Sequence, residues 1–224
     1  MNETEPTEVV LSFSGGKDSI LTFQKLAAGD DYRVVRLLTT VDETTGEVPM
    51  HGVHRRLIEA QADRLGVGLT VVELPAHPPN DVYVRRVNEA LGHLKGEGIE
   101  TVAYGDLFLE DIRRWREQKA RDIGMTPIFP LWGSDTGRLA RQFVDDGWKA
   151  IITGVDTDQV DAAFLGQAYD ERLLAELPAG VDPCAENGEF HTFVFDGPLF
   201  AESVEVQWEH REDEGERFRA LEAV

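Results

Sequence analysis

The sequence predicts a doubly wound α/β fold on a mostly parallel sheet, with a smaller C-terminal α+β domain. Three observations predict it. A strand, a glycine turn and a helix follow one another near the N-terminus. Strands then alternate with long helical segments as far as Tyr104, and past about residue 150 the alternation gives way to short elements and loops.

Val9 to Phe13 is a short apolar run of strand type, and Ile20 to Ala28 has helical spacing. Arg33 to Thr40 reads as a second strand, His51 to Leu65 as an amphipathic helix and Leu69 to Leu74 as a third strand. After the breaker His77-Pro78-Pro79 comes a long helix, Asp81 to Glu97, and then a strand, Thr101 to Tyr104. Elements alternating in this way need right-handed crossovers, which put helices on both faces of the sheet. Asp111 to Ile123 and Thr136 to Gly147 are helices flanking the apolar segment Pro127 to Trp132. A junction near Pro127 to Gly133 divides residues 1–128 from residues 129–224. Ala150 to Gly154, Phe190 to Phe195 and Phe200 to Glu209 read as strands, Glu171 to Leu177 as a short helix, and Val181 to Glu189 as a loop. The charged run from Glu209 to Glu216 reads as a solvated end.

Composition narrows the function classes. No stretch approaches the roughly 20 apolar residues of a membrane span, and Met1 to Glu8 is acidic and polar, unlike a signal peptide, so a cytoplasmic protein is expected. The single cysteine, Cys184, excludes an internal disulfide and any cysteine-built metal cluster. Against 42 acidic residues stand 22 basic ones, only five of them lysines, for a net charge of -20. Such a surface repels the phosphate backbone, which disfavours a broad nucleic-acid footprint, and it suits a high-salt cytoplasm where screening relieves self-repulsion.

Ser14-Gly15-Gly16-Lys17-Asp18-Ser19, between the first strand and its helix, is the strongest single signal. Its backbone must approach an anion closely, which glycine allows, and the helix behind it aims N–H groups at that anion. Ser14 and Ser19 add hydroxyls, Lys17 a point charge, and Asp18 stands either to hold Mg²⁺ or to order the loop. Thr39 and Thr40 end the second strand, beside a bound nucleotide's adenine or ribose. Gly105-Asp106-Leu107-Phe108-Leu109-Glu110-Asp111 follows the fourth strand and turns carboxylates toward the same crevice. His51 and His54, three apart at a helix start, read as a capping or surface pair, and His77, His93 and His210 as surface residues. Arg113, Arg114 and Arg116 either neutralise phosphate or pair with Glu110 and Glu117.

The hexapeptide resembles the PP-loop of the ATP pyrophosphatases, which cleave ATP between its α and β phosphates. Pro130-Leu131-Trp132-Gly133 and Glu186-Asn187-Gly188-Glu189-Phe190-His191-Thr192 follow in order. With the Gly-Asp segment they are similar to the diphthine–ammonia ligase family. The resemblance implies ATP and Mg²⁺ as cofactors, with ammonia and a carboxylate acceptor, in that family a modified histidine on an elongation factor, as partners; a homodimer is compatible with it. It implies ATP contacts from Ser14 to Ser19, Thr39, Thr40 and Gly105, catalytic parts for Lys17, Asp18, Asp106, Glu186 and Glu189, and the metal on Asp18. Asp182 to Glu189 and His191 depart from the archaeal and eukaryotic pattern, and Met50-His51-Gly52-Val53-His54 is of a kind associated with bacterial relatives, so the resemblance implies the chemistry and leaves the acceptor open. Two rivals compete with this reading. A tRNA thiolase of the PP-loop class is disfavoured by the missing Cys pairs and the acidic balance, and a nucleotide-binding module without turnover is disfavoured by the complete loop. Because Lys17 and Asp18 are expected on a surface loop, their replacement by Ala is expected to abolish ATP cleavage and leave the fold intact.

The charge balance also sets a solvent dependence. Raising KCl from about 0.1 M to about 1 M, which shortens the screening length from about 10 Å to about 3 Å, should raise the melting temperature measured by circular dichroism. A melting temperature that stays level would show that self-repulsion does not limit stability.

Overall fold

The computed structural model describes residues 5–211 and 217–223. A first sheet is built from β1 (Thr7–Ser12), β2 (Tyr32–Asp42), β5 (Gly68–Leu74), β6 (Thr101–Ala103) and β7 (Thr126–Ile128). Between β2 and β5 the chain makes a small hairpin, β3 (Glu47–Val48) and β4 (Val53–His54). The helices of this part are α1 (Lys17–Ala27), α2 (Arg55–Leu65), α3 (Asn80–Gly96) and α4 (Glu110–Asp122). After α5 (Thr136–Asp145) come β8 (Lys149–Asp156), the short α6 (Glu171–Glu176), β9 (Phe190–Asp196), β10 (Trp208–His210) and β11 (Phe218–Ala223).

The first sheet has the order β5-β2-β1-β6-β7, and every pair in it is parallel. The order reverses at β1, so the crossovers from β1 leave in one direction and those from β6 in the other. This opens a crevice at the carboxyl ends of β1 and β6. Strand periodicity explains the two faces. Val9 and Leu11 of β1 point into one core with α1, α2 and the second sheet, while Val10 points into another with Leu38, Val72, Leu91, Leu94 and Val102. The expected α/β class is therefore observed, with the first sheet parallel throughout.

The second sheet is antiparallel, in the order β10-β11-β8-β9. Here the expected strand Phe200 to Glu209 is corrected. Only Trp208–His210 is a strand; Phe200 and Val204 instead drop into the core, and the segment is tied to its surroundings by Ala201 N–H to the Arg64 carbonyl and Val204 N–H to the Phe195 carbonyl. Of the expected solvated end, Glu209 and His210 are exposed as expected but belong to a strand. Glu209 and His210 lie in β10, and β11 beyond the run pairs with β8 through Phe218, Arg219 and Ala220; residues 212–216 lie outside the described residues. Phe-Arg-Ala-Leu-Glu-Ala alternates weakly, and pairing with β8 makes it a strand. The helix expected from His51 begins only at Arg55, because Met50 and Gly52 adopt left-handed backbone angles of 65° and 64° that no helix accepts. No helix among the described residues is long and apolar enough to cross a membrane.

One stitch joins the sheets at the glycine turn. Val194 N–H of β9 donates to the Gly15 carbonyl at 3.0 Å. Gln61 of α2, fully buried, donates through Nε2 to the carbonyls of Gly15 at 2.9 Å and Val194 at 2.6 Å. Gln61→Leu leaves the Val194 carbonyl without that donor, so unfolding in urea should lose about 1–3 kcal/mol of stability. A variant as stable as the parent would remove Gln61 from this account.

Candidate functional site

Gly15 begins the site with a backbone angle of +81°, and a Cβ there would stand 2.6 Å from Gln61 Oε1 and from Ile58 Cδ1. Only glycine fits. Gly16 is the N-cap of α1, so Lys17, Asp18 and Ser19 form the first helical turn rather than a free loop. Three of the loop's N–H groups are satisfied by hydroxyls: Ser14 N–H by Ser19 Oγ at 3.0 Å, Gly16 N–H by Ser14 Oγ at 3.4 Å, and Lys17 N–H by Thr192 Oγ1 at 3.1 Å. Gly105 completes the floor, since a Cβ there would come within 3.0 Å of Thr22 Oγ1 and 3.2 Å of the Asp18 carbonyl.

Above this turn lies a cavity of about 420 Å³, within the usual size of a small-ligand site. Ser14, Asp18, Ser19, Thr39, Thr40, Gly105, Asp106 and Glu186 line it, so eight of the expected residues come together. Its far wall is apolar and aromatic, with Leu38, Leu74, Val87, Leu91, Tyr83 and Tyr104. Thr39 Oγ1 is buried with no partner. A cavity that combines an apolar wall, an unsatisfied hydroxyl and the serines of a glycine turn suits a nucleoside phosphate.

Lys17 does not join them. Its side chain is 3% exposed, its ammonium bonds the Cys184 carbonyl and Asp18 Oδ2, and it lies over the rings of Tyr169 and Phe190 at 5.9 and 5.6 Å. Burial alone would lower its pKa, but Asp18, Cys184 and Asp182 outweigh that and raise it. The expectation of a surface-loop lysine facing the anion is thus corrected: starting α1 turns its side chain into the second layer. Glu189 is corrected too. It is 2% exposed and absent from the cavity wall, and it accepts from Asp182 N–H, Asn187 N–H and Asn187 Nδ2, each at 3.0 Å, which folds the 182–189 loop around it.

That loop carries Glu186 into the cavity, where Oε1 accepts from Leu107 N–H at 2.8 Å. Burial pushes its carboxyl up to about 7, and the charges of Asp18 and Asp106 add to the rise. Asp106 is paired with Arg116 Nε at 2.9 Å, and Arg116 also lies over the Tyr104 ring at 4.6 Å. Of the three arginines, Arg116 alone reaches the wall; Arg113 pairs with Glu117 and Arg114 with Glu110. Asp18 is the group that asks for a cation. Its side chain keeps 30% exposure, yet Oδ1 is shut away with no partner, and burial raises its pKa against the pull of Lys17. A carboxylate oxygen left so is costly unless a cation joins it. Among the described residues there is no group of three or more His, Cys, Asp and Glu that could hold a metal ion.

The histidines divide. His54 caps α2, accepting from Arg56 N–H through Nδ1 at 3.2 Å, as a capping residue should, whereas His51 lines the cavity with its ring tilted against that of His191, centroids 4.5 Å apart. Gln61 and Lys119 carry no signal in the sequence, and Thr192 stands there in a motif without a role of its own. Nothing in helical spacing marks a buried glutamine as a tie to a strand far along the chain.

The family model of the diphthamide synthase N-terminal domain matches residues 7–127, and that of the diphthamide synthase C-terminal domain matches residues 135–221. Among curated proteins, the chain is similar to diphthine–ammonia ligase of Rattus norvegicus, 32% identical over 116 residues, which are 49% of this chain and 43% of that protein. It is also similar to diphthine–ammonia ligase of Homo sapiens, 26% identical over 88% of this chain and 82% of that protein. A solved structure described as a predicted subunit of tRNA methyltransferase from Methanocaldococcus jannaschii covers 88% of this chain and 100% of that one, at 18% identity and a TM-score of 0.47.

The burial of Lys17 yields a stability prediction. Lys17→Ala strands the Asp18 carboxylate and the Cys184 carbonyl, so equilibrium unfolding should show a loss of about 2–4 kcal/mol. Unchanged stability would restore the surface-loop reading.

Proposed function

The chain belongs to the diphthamide synthase family, and from that premise we propose that it is an ATP-dependent ligase that adenylylates a carboxylate, releases pyrophosphate and transfers ammonia to the acyl group. The observation that carries this reading is the meeting, in one cavity, of Ser14 and Ser19 from the glycine turn, the orphaned Asp18 oxygen and the raised carboxyl of Glu186.

A carboxylate resists attack by ammonia because its oxide is a poor leaving group. In the proposed reaction an acceptor carboxylate oxygen attacks the α phosphorus, the bond to the bridging oxygen breaks, and that oxygen leaves with the electron pair on pyrophosphate. Ammonia then adds to the acyl carbon and AMP departs, taking the electron pair of the acyl–oxygen bond. Ser14, Gly15, Gly16 and Ser19 are the proposed phosphate cradle, with Thr39, Thr40 and Gly105 beside the nucleoside. Asp18 would hold Mg²⁺, with Asp106 nearby; when bound, the ion supplies positive charge to the phosphates. Glu186 is the proposed base that takes the excess proton from the adding nitrogen, a task suited to a carboxyl titrating near neutrality. Lys17 and Glu189 take positioning parts, one anchoring Asp18 and the other shaping the loop that carries Glu186. Residues 1–128 are the proposed ATP-binding part and residues 129–224 the acceptor-binding part.

The test is product analysis with α- and γ-labelled ATP, Mg²⁺ and ammonium, with a cell extract as the acceptor pool. AMP and pyrophosphate that rise with extract are expected, whereas ADP and phosphate, or intact ATP, would sink the reading. The same assay against pH should rise through about pH 7 as Glu186 loses its proton. In Glu186→Gln that rise should vanish, with the rate down by about a hundredfold.

A further inference from the structure

We propose that the cleft between α1 and α5 is a second ligand site, built for a small organic anion that joins a phosphate or carboxylate group to an apolar body. The inference stands apart from the adenylylation reading, because none of the residues lining this cleft lines the cavity above the glycine turn.

The cleft measures about 510 Å³, again the size of a small-ligand site. Its floor is apolar: Leu21 of α1, Leu131 ahead of α5 and Leu139 of α5 line it and are themselves buried. Two cations line it as well, Lys25 in the last turn of α1 and Arg138 in the first turn of α5, both exposed. Ser134 adds a hydroxyl and Gln142 an amide. One wall is shared with the site already described, since α1 carries Asp18 and Ser19 on its first turn and Lys25 on its last.

What sets these two cations apart is that no carboxylate of the chain has claimed them. The sequence holds 42 acidic residues against 22 basic ones, and most of the basic side chains have a carboxylate or carbonyl partner. Among the described residues neither Lys25 nor Arg138 is in an ion pair. The acids beside them are spent on neutral donors instead. Asp135, itself on the cleft wall, caps α5 by accepting Arg138 N–H through Oδ1 at 2.7 Å. Asp146 Oδ2 accepts Gln24 Nε2 at 2.6 Å and Gln142 Nε2 at 3.3 Å, which also ties α1 to α5 and holds the two walls together without a ligand. A net charge of -20 repels anions from the surface in general, so anion binding on this chain depends on donors left free by its own acids, and the cleft brings together two of them. The leucine floor offers no side-chain hydrogen-bonding group, so the part of the ligand that rests on it is apolar.

The experiment is titration calorimetry with phenyl phosphate, benzoate and the neutral benzyl alcohol on the full chain, alone and with an excess of α,β-methylene-ATP and Mg²⁺. At least one of the two anions should bind whether or not the nucleotide is present, the tighter one identifying the charged group, and benzyl alcohol should not. Lys25→Gln and Arg138→Gln should each weaken that binding by about tenfold, the loss of one charge-assisted hydrogen bond. Arg85→Gln, which removes an exposed cation of α3 that also has no ion pair, should leave it unchanged. All three positions are exposed, so the variants keep the fold. No binding of either anion, binding undiminished in both cleft variants, or benzyl alcohol binding as tightly as the anions would overturn the inference. An equal loss in Arg85→Gln would overturn it by reducing the effect to overall charge, and displacement of the anion by methylene-ATP would overturn it by placing the probe in the other cavity.

Discussion

The carbonyl of Gly15 and the backbone N–H of Val194 meet at 3.0 Å, and the rest of the site depends on that contact. Gly15 belongs to the parallel sheet's first crossover and Val194 to the antiparallel sheet, so the bond fixes one sheet against the other at the turn itself. Gln61 closes the same point from α2, and Thr192 closes it from β9 through the Lys17 N–H. With a side chain at Gly15, either Gln61 or Ile58 would have to move. The glycine that relieves the turn of steric conflict with Gln61 and Ile58 is also the place where the two sheets are joined.

Lys17 extends this logic from backbone to charge. An ammonium 3% exposed must find anionic or carbonyl partners, and it finds Asp18 from its own helix and Cys184 from the 182–189 loop. The loop is therefore tied at one end to α1, while Glu189 folds it from within and Glu186 reaches back to the Leu107 N–H. Three carboxylates then face one cavity in a protein of net charge -20. Their crowding and burial raise Glu186, and the unpartnered Asp18 oxygen makes the cavity receptive to a cation. The acidic exterior is a solvent property, but the carboxylates inside are individually held by Arg116, Lys17 and the Leu107 backbone.

The chain by itself determined the alternation of elements, the glycine turn and the motifs that follow it, because each is a local pattern: hydrophobic period, turn chemistry, a short run of residue types. From these the α/β class and eight of the cavity residues could be read. Three things were decided only when distant segments met. Lys17 faces the second layer because the turn is already helix and Cys184 waits beneath it. His51 leaves the expected helix because Met50 and Gly52 turn left-handed where the hairpin docks on β8 and β11. The last strand exists because β8 presents an open edge to a segment whose own alternation is weak. In each case the deciding partner is a backbone carbonyl, a ring or a strand edge far along the chain, and the energy of that contact outweighs the preference of the local sequence.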